Sequence, residues 1–320
     1  MDQMKFRIFA DSWAWTWGVG IVKSNSMVDS ESPNSYSLVK TILEGMGHEV
    51  DITNCKVGAG LEYTTTSLLG ALNNLPEDFQ EEEIWLHMIS SPVRDIDRDS
   101  ADVPDMKLNL NNIDDFFKSH DQEITRQLQR ISDRLHGIQS NITIIALGGH
   151  VVLPKHSFAS IINRNPRLKF GCEWILKDVS ENIVIDRNTG QDLNGYIKDC
   201  FLKLWDKKWT EILDDGTGPF EYLRWNQAYR VFFQPSEIIG EVFAKPNINI
   251  EPDLEFLEFM NDIHDARDEI FGHGEVITMF PDTAHLGFIG HVKFADWIFL
   301  RAEELAFINH LPPKDLCPLA

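Results

Sequence analysis

Three side chains near opposite ends of the chain could cooperate in acyl transfer. Ser12 closes the segment Phe9-Ala10-Asp11-Ser12, directly after an apolar run over residues 6–9. Asp282 and His285 stand together in Phe280-Pro281-Asp282-Thr283-Ala284-His285. A serine hydroxyl is a weak nucleophile until a neighbouring base takes its proton. His285 is the candidate base. Asp282, three residues earlier, could bond the second ring nitrogen and hold the right tautomer. Spacing of the type D-x-x-H is cheap on its own. The chain holds a second copy, Asp133-Arg134-Leu135-His136, within a long amphipathic segment, where it reads as surface decoration. The Asp282–His285 pair differs in context, because it follows an apolar run (276–280) and a proline and precedes a helix.

A tetrahedral acyl intermediate also needs donors for its oxyanion. The Ser12 amide is one candidate. The turn Gly58-Ala59-Gly60 is another, since small residues let backbone approach closely; the same turn also reads as a plain strand-to-helix connection. Trp13, Trp15 and Trp17 alternate directly after Ser12, so an extended segment puts them on one face. Such a face suits stacking on a sugar ring or packing an acyl chain, and equally suits packing against a cap. Gly148-Gly149-His150 ends a β-branched run and either lines the site or simply turns. The stretch bearing Asp262, His264, Asp265, Asp268 and His273 lacks a recognised ligand spacing, so no metal is expected. Neither a Walker motif nor a dinucleotide-binding glycine motif is present, and no cofactor is expected.

The elements that must position these groups alternate between strand and helix. Strands are expected at residues 6–9, 48–53, 84–89 and 141–147, and helices at about 36–44, 64–72, 113–138 and 290–308. Gly45 or Gly47 is expected to end the first helix. The acidic run 81–83 reads as a solvated face or a lead-in to the third strand. This alternation predicts an α/β fold: a three-layer, doubly wound parallel sheet with helices on both faces. Residues 176–270 fit the pattern poorly and are rich in aromatics, including Trp205, Trp209, Tyr222 and Trp225; they are expected to form a mostly helical insertion or cap. One domain over residues 1–320 with that insertion accounts for the length.

Composition narrows the partners. The net charge of −21 argues against nucleic acid and anionic membranes, which want Lys/Arg patches. No run approaches the roughly 18 apolar residues of a membrane span. Cys55, Cys172, Cys200 and Cys317 lie far apart, which predicts reduced thiols in a cytoplasmic setting. No basic stretch leads into an apolar one at the N-terminus, so no secretory signal is expected.

With these blocks in hand, the chain resembles the SGNH (GDSL-type) hydrolases, a family of esterases and deacetylases. The resemblance rests on Phe9-Ala10-Asp11-Ser12, on Asn54-Cys55-Lys56-Val57-Gly58-Ala59-Gly60, and on Phe280-Pro281-Asp282-Thr283-Ala284-His285 running into Gly290-His291 and a terminal helix. It implies a Ser12–His285–Asp282 triad, with the Ser12 and Gly58–Gly60 amides on the oxyanion, acting on an O-acyl ester of a carbohydrate or small molecule. The chain departs from the family in three places. Ala10 replaces the usual glycine, and Trp13 the usual leucine. After the third strand the family's Gly-x-Asn-Asp is replaced by Ser90-Ser91-Pro92-Val93-Arg94, so the oxyanion-binding asparagine is missing. Ser91 or Arg94 could donate instead, or Gly148-Gly149-His150 could line the site. The Ser-Pro-x-Arg variant resembles SGNH-like proteins encoded by bacteriophages, which implies a viral origin and makes the virion a second possible location. The missing asparagine also keeps open a different class of function, a carbohydrate-binding or virion protein that retains the fold without catalysis.

Overall fold

A computed structural model describes residues 3–10, 37–56, 59–90, 113–149, 153, 158–159, 161, 165–173, 175, 184–186, 189–192, 254 and 288–309. In chain order these hold β1 (Lys5–Phe9), α1 (Leu38–Gly45), β2 (Glu49–Asp51), α2 (Leu61–Asn73), β3 (Glu82–Ile89), α3 (Ile113–His136), β4 (Asn141–Gly148), β5 (Leu168–Cys172), β6 (Val184–Asp186), β7 (Gln191–Asp192) and α4 (Phe288–Asn309). The first five strands form one all-parallel sheet in the order β2-β1-β3-β4-β5. The α/β class expected from the alternating pattern is therefore observed. No described helix is long and apolar enough to cross a membrane.

The strands are buried on both faces, which is why they read as near-continuous apolar runs. On one face Phe9, Trp85, Ile89, Ile142, Ile144, Ala146 and Leu168 share a core with Leu61, Leu68 and Leu72 of α2 and Ile124, Leu128, Ile131 and Leu135 of α3. Alternation along the strands sends Phe6, Ile8, Leu86, Met88, Ile145 and Leu147 to the other face, and all of them are buried. That face is covered by α4, whose Phe294, Ala295 and Ile298 are buried, and by α1, which packs on α4. Gly171 of β5 marks how closely they meet. A Cβ there would lie 2.9 Å from Ile145 Cγ2 and 3.2 Å from the Trp297 ring.

Local chemistry sets the helix ends. Ser37 caps α1, its Oγ accepting from the Lys40 N–H at 3.2 Å. At the other end Gly47, with φ +95°, lets Gly47 N–H donate to Glu44 and His48 N–H donate to Leu43. This pairing satisfies carbonyls that the helix leaves open, so Gly47 rather than Gly45 makes the exit. The α2 helix starts at Leu61, a turn earlier than the expected residue 64, because Gly60 already stands in extended geometry as its N-cap.

The acidic run before β3 does more than face solvent. Glu82 and Glu83 belong to the strand, and Glu83 is buried. Lys5 lies between Glu49 (3.7 Å) and Glu81 (2.5 Å), and Arg7 between Asp51 and Glu83, each at 3.5 Å. The Arg7 guanidinium also sits 4.9 Å over the Trp85 ring, and Trp85 Nε1 donates to Glu83 at 2.6 Å. Each cation of β1 thus has an acid on β2 and another on, or just before, β3. Such half-exposed pairs add little stability singly, but a one-residue slip would break all of them, so they help specify register.

Two features depart from the expected layout. β5 was not foreseen, since Lys169 and Gly171 interrupt its apolar pattern and Leu168, Phe170 and Cys172 are few for a strand signal. Within the stretch expected to be mostly helical, β6 and β7 pair antiparallel across a turn in which Gly190 has φ +70°. That part of the stretch is a β-hairpin rather than helix.

Candidate functional site at the carboxyl rim of the sheet

The strand order reverses at β1. The chain leaves β1 for β2 on one side and returns to β3 on the other, so the carboxyl ends of β1 and β3 flank the switch point where open α/β sheets bind ligands. β1 and β3 are in register to the rim, with Phe9 opposite His87. Beyond Phe9 the buried Ala10 leads directly into Asp11-Ser12.

The rim is laced together by bonds from three connections. The Lys56 N–H donates to the Ala10 carbonyl at 3.1 Å, and the Cys55 thiol donates to the Ile8 carbonyl at 3.3 Å. The turn after β2 is therefore fastened to the end of β1. Ser90, buried just past β3, donates from Oγ to the Ala59 carbonyl at 2.7 Å. Gly149, just past β4, donates from its N–H to the Ile89 carbonyl at 3.3 Å, and a Cβ there would lie 3.1 Å from that same oxygen. Ala59 and Gly60 are buried, and Gly60 opens α2 without a side-chain cap. The first turn of a helix carries N–H groups with no intrahelical acceptor, and their partial positive charge favours anions. The Gly60 N–H has no acceptor among the described residues.

Of the residues singled out from the sequence, Ala59, Gly60, Gly148 and Gly149 are brought to this rim. Ser12, Trp13, Gly58, Ser91, Arg94, His150, Asp282 and His285 lie outside the described residues, as does the stretch holding Asp262, His264 and His273. The second D-x-x-H copy is on the surface as expected. Asp133 and His136 are exposed, Asp133 accepts from Gln129, and His136 Nδ1 lies 3.1 Å from the Ser132 carbonyl. Among the described residues no group of three or more His, Cys, Asp or Glu is arranged to hold a metal.

Two rim residues were missed by sequence reasoning. Ser90 was overlooked because the turn after β3 offered the more conspicuous Ser91 and Arg94; its signal is its place as the first polar residue after five buried strand positions. His87 is the other. It lies in β3 between Phe9 and Ala146, on the face shared with Trp85 and Ile89, and is fully buried. Neither ring nitrogen has a hydrogen-bond partner among the described residues. Burial alone pushes its pKa from 6.5 down to about 4.

His87 should therefore make the fold acid-sensitive. Between pH 6.5 and about 4 the unfolded chain binds a proton that the folded chain refuses. The stabilisation is complete above pH 6.5 and is lost as pH falls, by up to about 3 kcal/mol at pH 4. Urea unfolding of the wild type and of His87→Leu at pH 7.5 and 4.5 measures this. The variant should lose markedly less stability across the interval, and equal losses would refute the assignment.

Compared with known protein families and with curated proteins, the chain matches no family model and no curated sequence.

Proposed function

We propose that the protein is a serine hydrolase of SGNH-like fold that cleaves an ester, the O-acyl group of a carbohydrate or small molecule. The observation that carries this reading is the fastening of the β2–α2 turn to the end of β1. The Lys56–Ala10 bond holds Ala59, Gly60 and the open amides of α2 next to the strand from which Ser12 emerges two residues later. A nucleophile and preformed oxyanion donors are needed together at one rim, and the sequence supplies the nucleophile at that point.

In this reading Ser12 Oγ attacks the acyl carbon and its proton passes to His285. The carbonyl electrons move onto oxygen, where the Ser12 and Gly58–Gly60 amides hold them. Collapse breaks the ester C–O bond, and the departing alcohol takes the proton from His285. Water then attacks the acyl-serine with His285 as base, releasing the carboxylic acid and restoring Ser12. Asp282 keeps the imidazole oriented throughout.

A fluorophosphonate tests the reading without knowledge of the substrate, because an activated serine displaces fluoride from phosphorus whatever its natural acyl group. The tryptic peptide over residues 8–23 contains Ser12 and no other serine. That peptide should carry the phosphonyl mass, and His285→Ala should abolish the labelling. An unlabelled protein favours the non-catalytic carbohydrate-binding or virion protein suggested by the missing asparagine, and a label on another peptide rejects Ser12 as the nucleophile.

A further inference from the structure

We infer that Ser90 is a positioning residue for the oxyanion site: its hydroxyl holds the Ala59–Gly60 peptide plane and thereby aims the Gly60 N–H. This rests on the hydrolase reading, which gives the Gly58–Gly60 turn its role. The chemistry is that of a rigid amide. The Ala59 carbonyl and the Gly60 N–H belong to one peptide unit, and no cis bond occurs among the described residues. In a planar trans unit the two dipoles point in opposite directions, so fixing one fixes the other. Ser90 Oγ donates to the Ala59 oxygen at 2.7 Å, which turns the Gly60 N–H to the side away from Ser90. The next peptide unit is held as well, because the Gly60 carbonyl accepts from the Thr64 N–H at 3.2 Å as α2 begins.

The clamp is anchored by the sheet. Ser90 is 1% exposed, and the preceding Ile89 carbonyl accepts from Gly149 N–H at 3.3 Å. Gly149 can approach that closely because it has no side chain, since a Cβ would stand 3.1 Å from the Ile89 oxygen. The ends of β4 and β3 therefore hold Ser90, and Ser90 holds the turn. Gly60 itself has φ −85° and ψ 179°, an extended setting, and opens α2 with no side-chain cap. Donors aimed in advance at a developing charge need no reorganisation during the reaction, so a free-swinging peptide would lose part of its catalytic effect.

The test compares wild type, Ser12→Ala, Ser90→Ala and Ser90→Thr on p-nitrophenyl acetate, with amide hydrogen exchange measured on the same proteins. Ser90→Ala should lower kcat about tenfold with KM changed less than about twofold, the split that follows when a transition-state interaction is lost. Ser90→Thr, which keeps the hydroxyl, should stay within about threefold of wild type. In Ser90→Ala the Ala59 and Thr64 amides should exchange at least about tenfold faster while those of β4 stay protected. An unchanged kcat, or losses in kcat that merely follow the folded fraction, would overturn the clamp, as would unchanged exchange at Ala59 and Thr64. An inert wild type, or a rate that survives Ser12→Ala, sinks the hydrolase reading instead. The exchange measurement then still decides whether Ser90 holds the turn.

Discussion

Ser12→Ala should lower the hydrolysis of p-nitrophenyl acetate at least about a hundredfold, and His285→Ala should do the same. The expectation rests on how the proposed mechanism couples the two residues. In that mechanism an alanine at position 12 removes the atom that forms the acyl intermediate. An alanine at position 285 leaves the hydroxyl in place but removes the acceptor for its proton. Groups that act as one unit are strongly non-additive, so the double variant should be no slower than the slower single variant. Both proteins should unfold at the wild-type denaturant midpoint. Steady-state rates for the three variants, with urea unfolding as control, provide the check. Activity that persists in Ser12→Ala belongs to another site or to a contaminant and rejects the triad.

Arg94→Ala should cost about 10²–10³ in kcat with little change in KM. The missing asparagine after the third strand motivates this. β3 is hydrogen-bonded directly to β1, so the segments that leave their carboxyl ends start side by side. Ser90 is buried at that end, and a proline follows two residues later in the sequence. Four residues from Ser90 span at most about 14 Å, and the arginine side chain extends that reach. A guanidinium offers fixed, permanently charged donors, and Ser91 offers a neutral one. Pairing of Arg94 with Asp95 or Asp97 on the surface would leave kcat and KM almost unchanged, since exposed pairs contribute little. A role in binding a substrate carboxylate would instead raise KM. The kinetic constants of the single variant separate the three.

The layers and most of the elements follow from the residue pattern alone. Strands buried on both faces must be continuous apolar runs, and amphipathic helices must repeat at 3.6 residues. Residues 6–9, 84–89, 141–147 and 113–138 carry those patterns plainly, and the corresponding elements agree with them to within about two residues at each end. Gly45 or Gly47 likewise announced the end of α1, and the left-handed exit falls on Gly47. What the sequence left undecided are the features whose cause lies in a distant strand. Glu83 looks like solvent-facing charge until Arg7 and Trp85 are brought beside it by the β1–β3 pairing. β5 is short and broken by Lys169 and Gly171, and it becomes a strand because β4 offers it an open edge. His87 reads as polar until the register sets it between Phe9 and Ala146. The candidate site divides in the same way. Ser12, Asp282 and His285 were legible as residue types in suggestive surroundings. The bonds from Lys56 to Ala10 and from Ser90 to Ala59 join segments far apart in the chain, and the strand order β2-β1-β3 alone brings them to one rim.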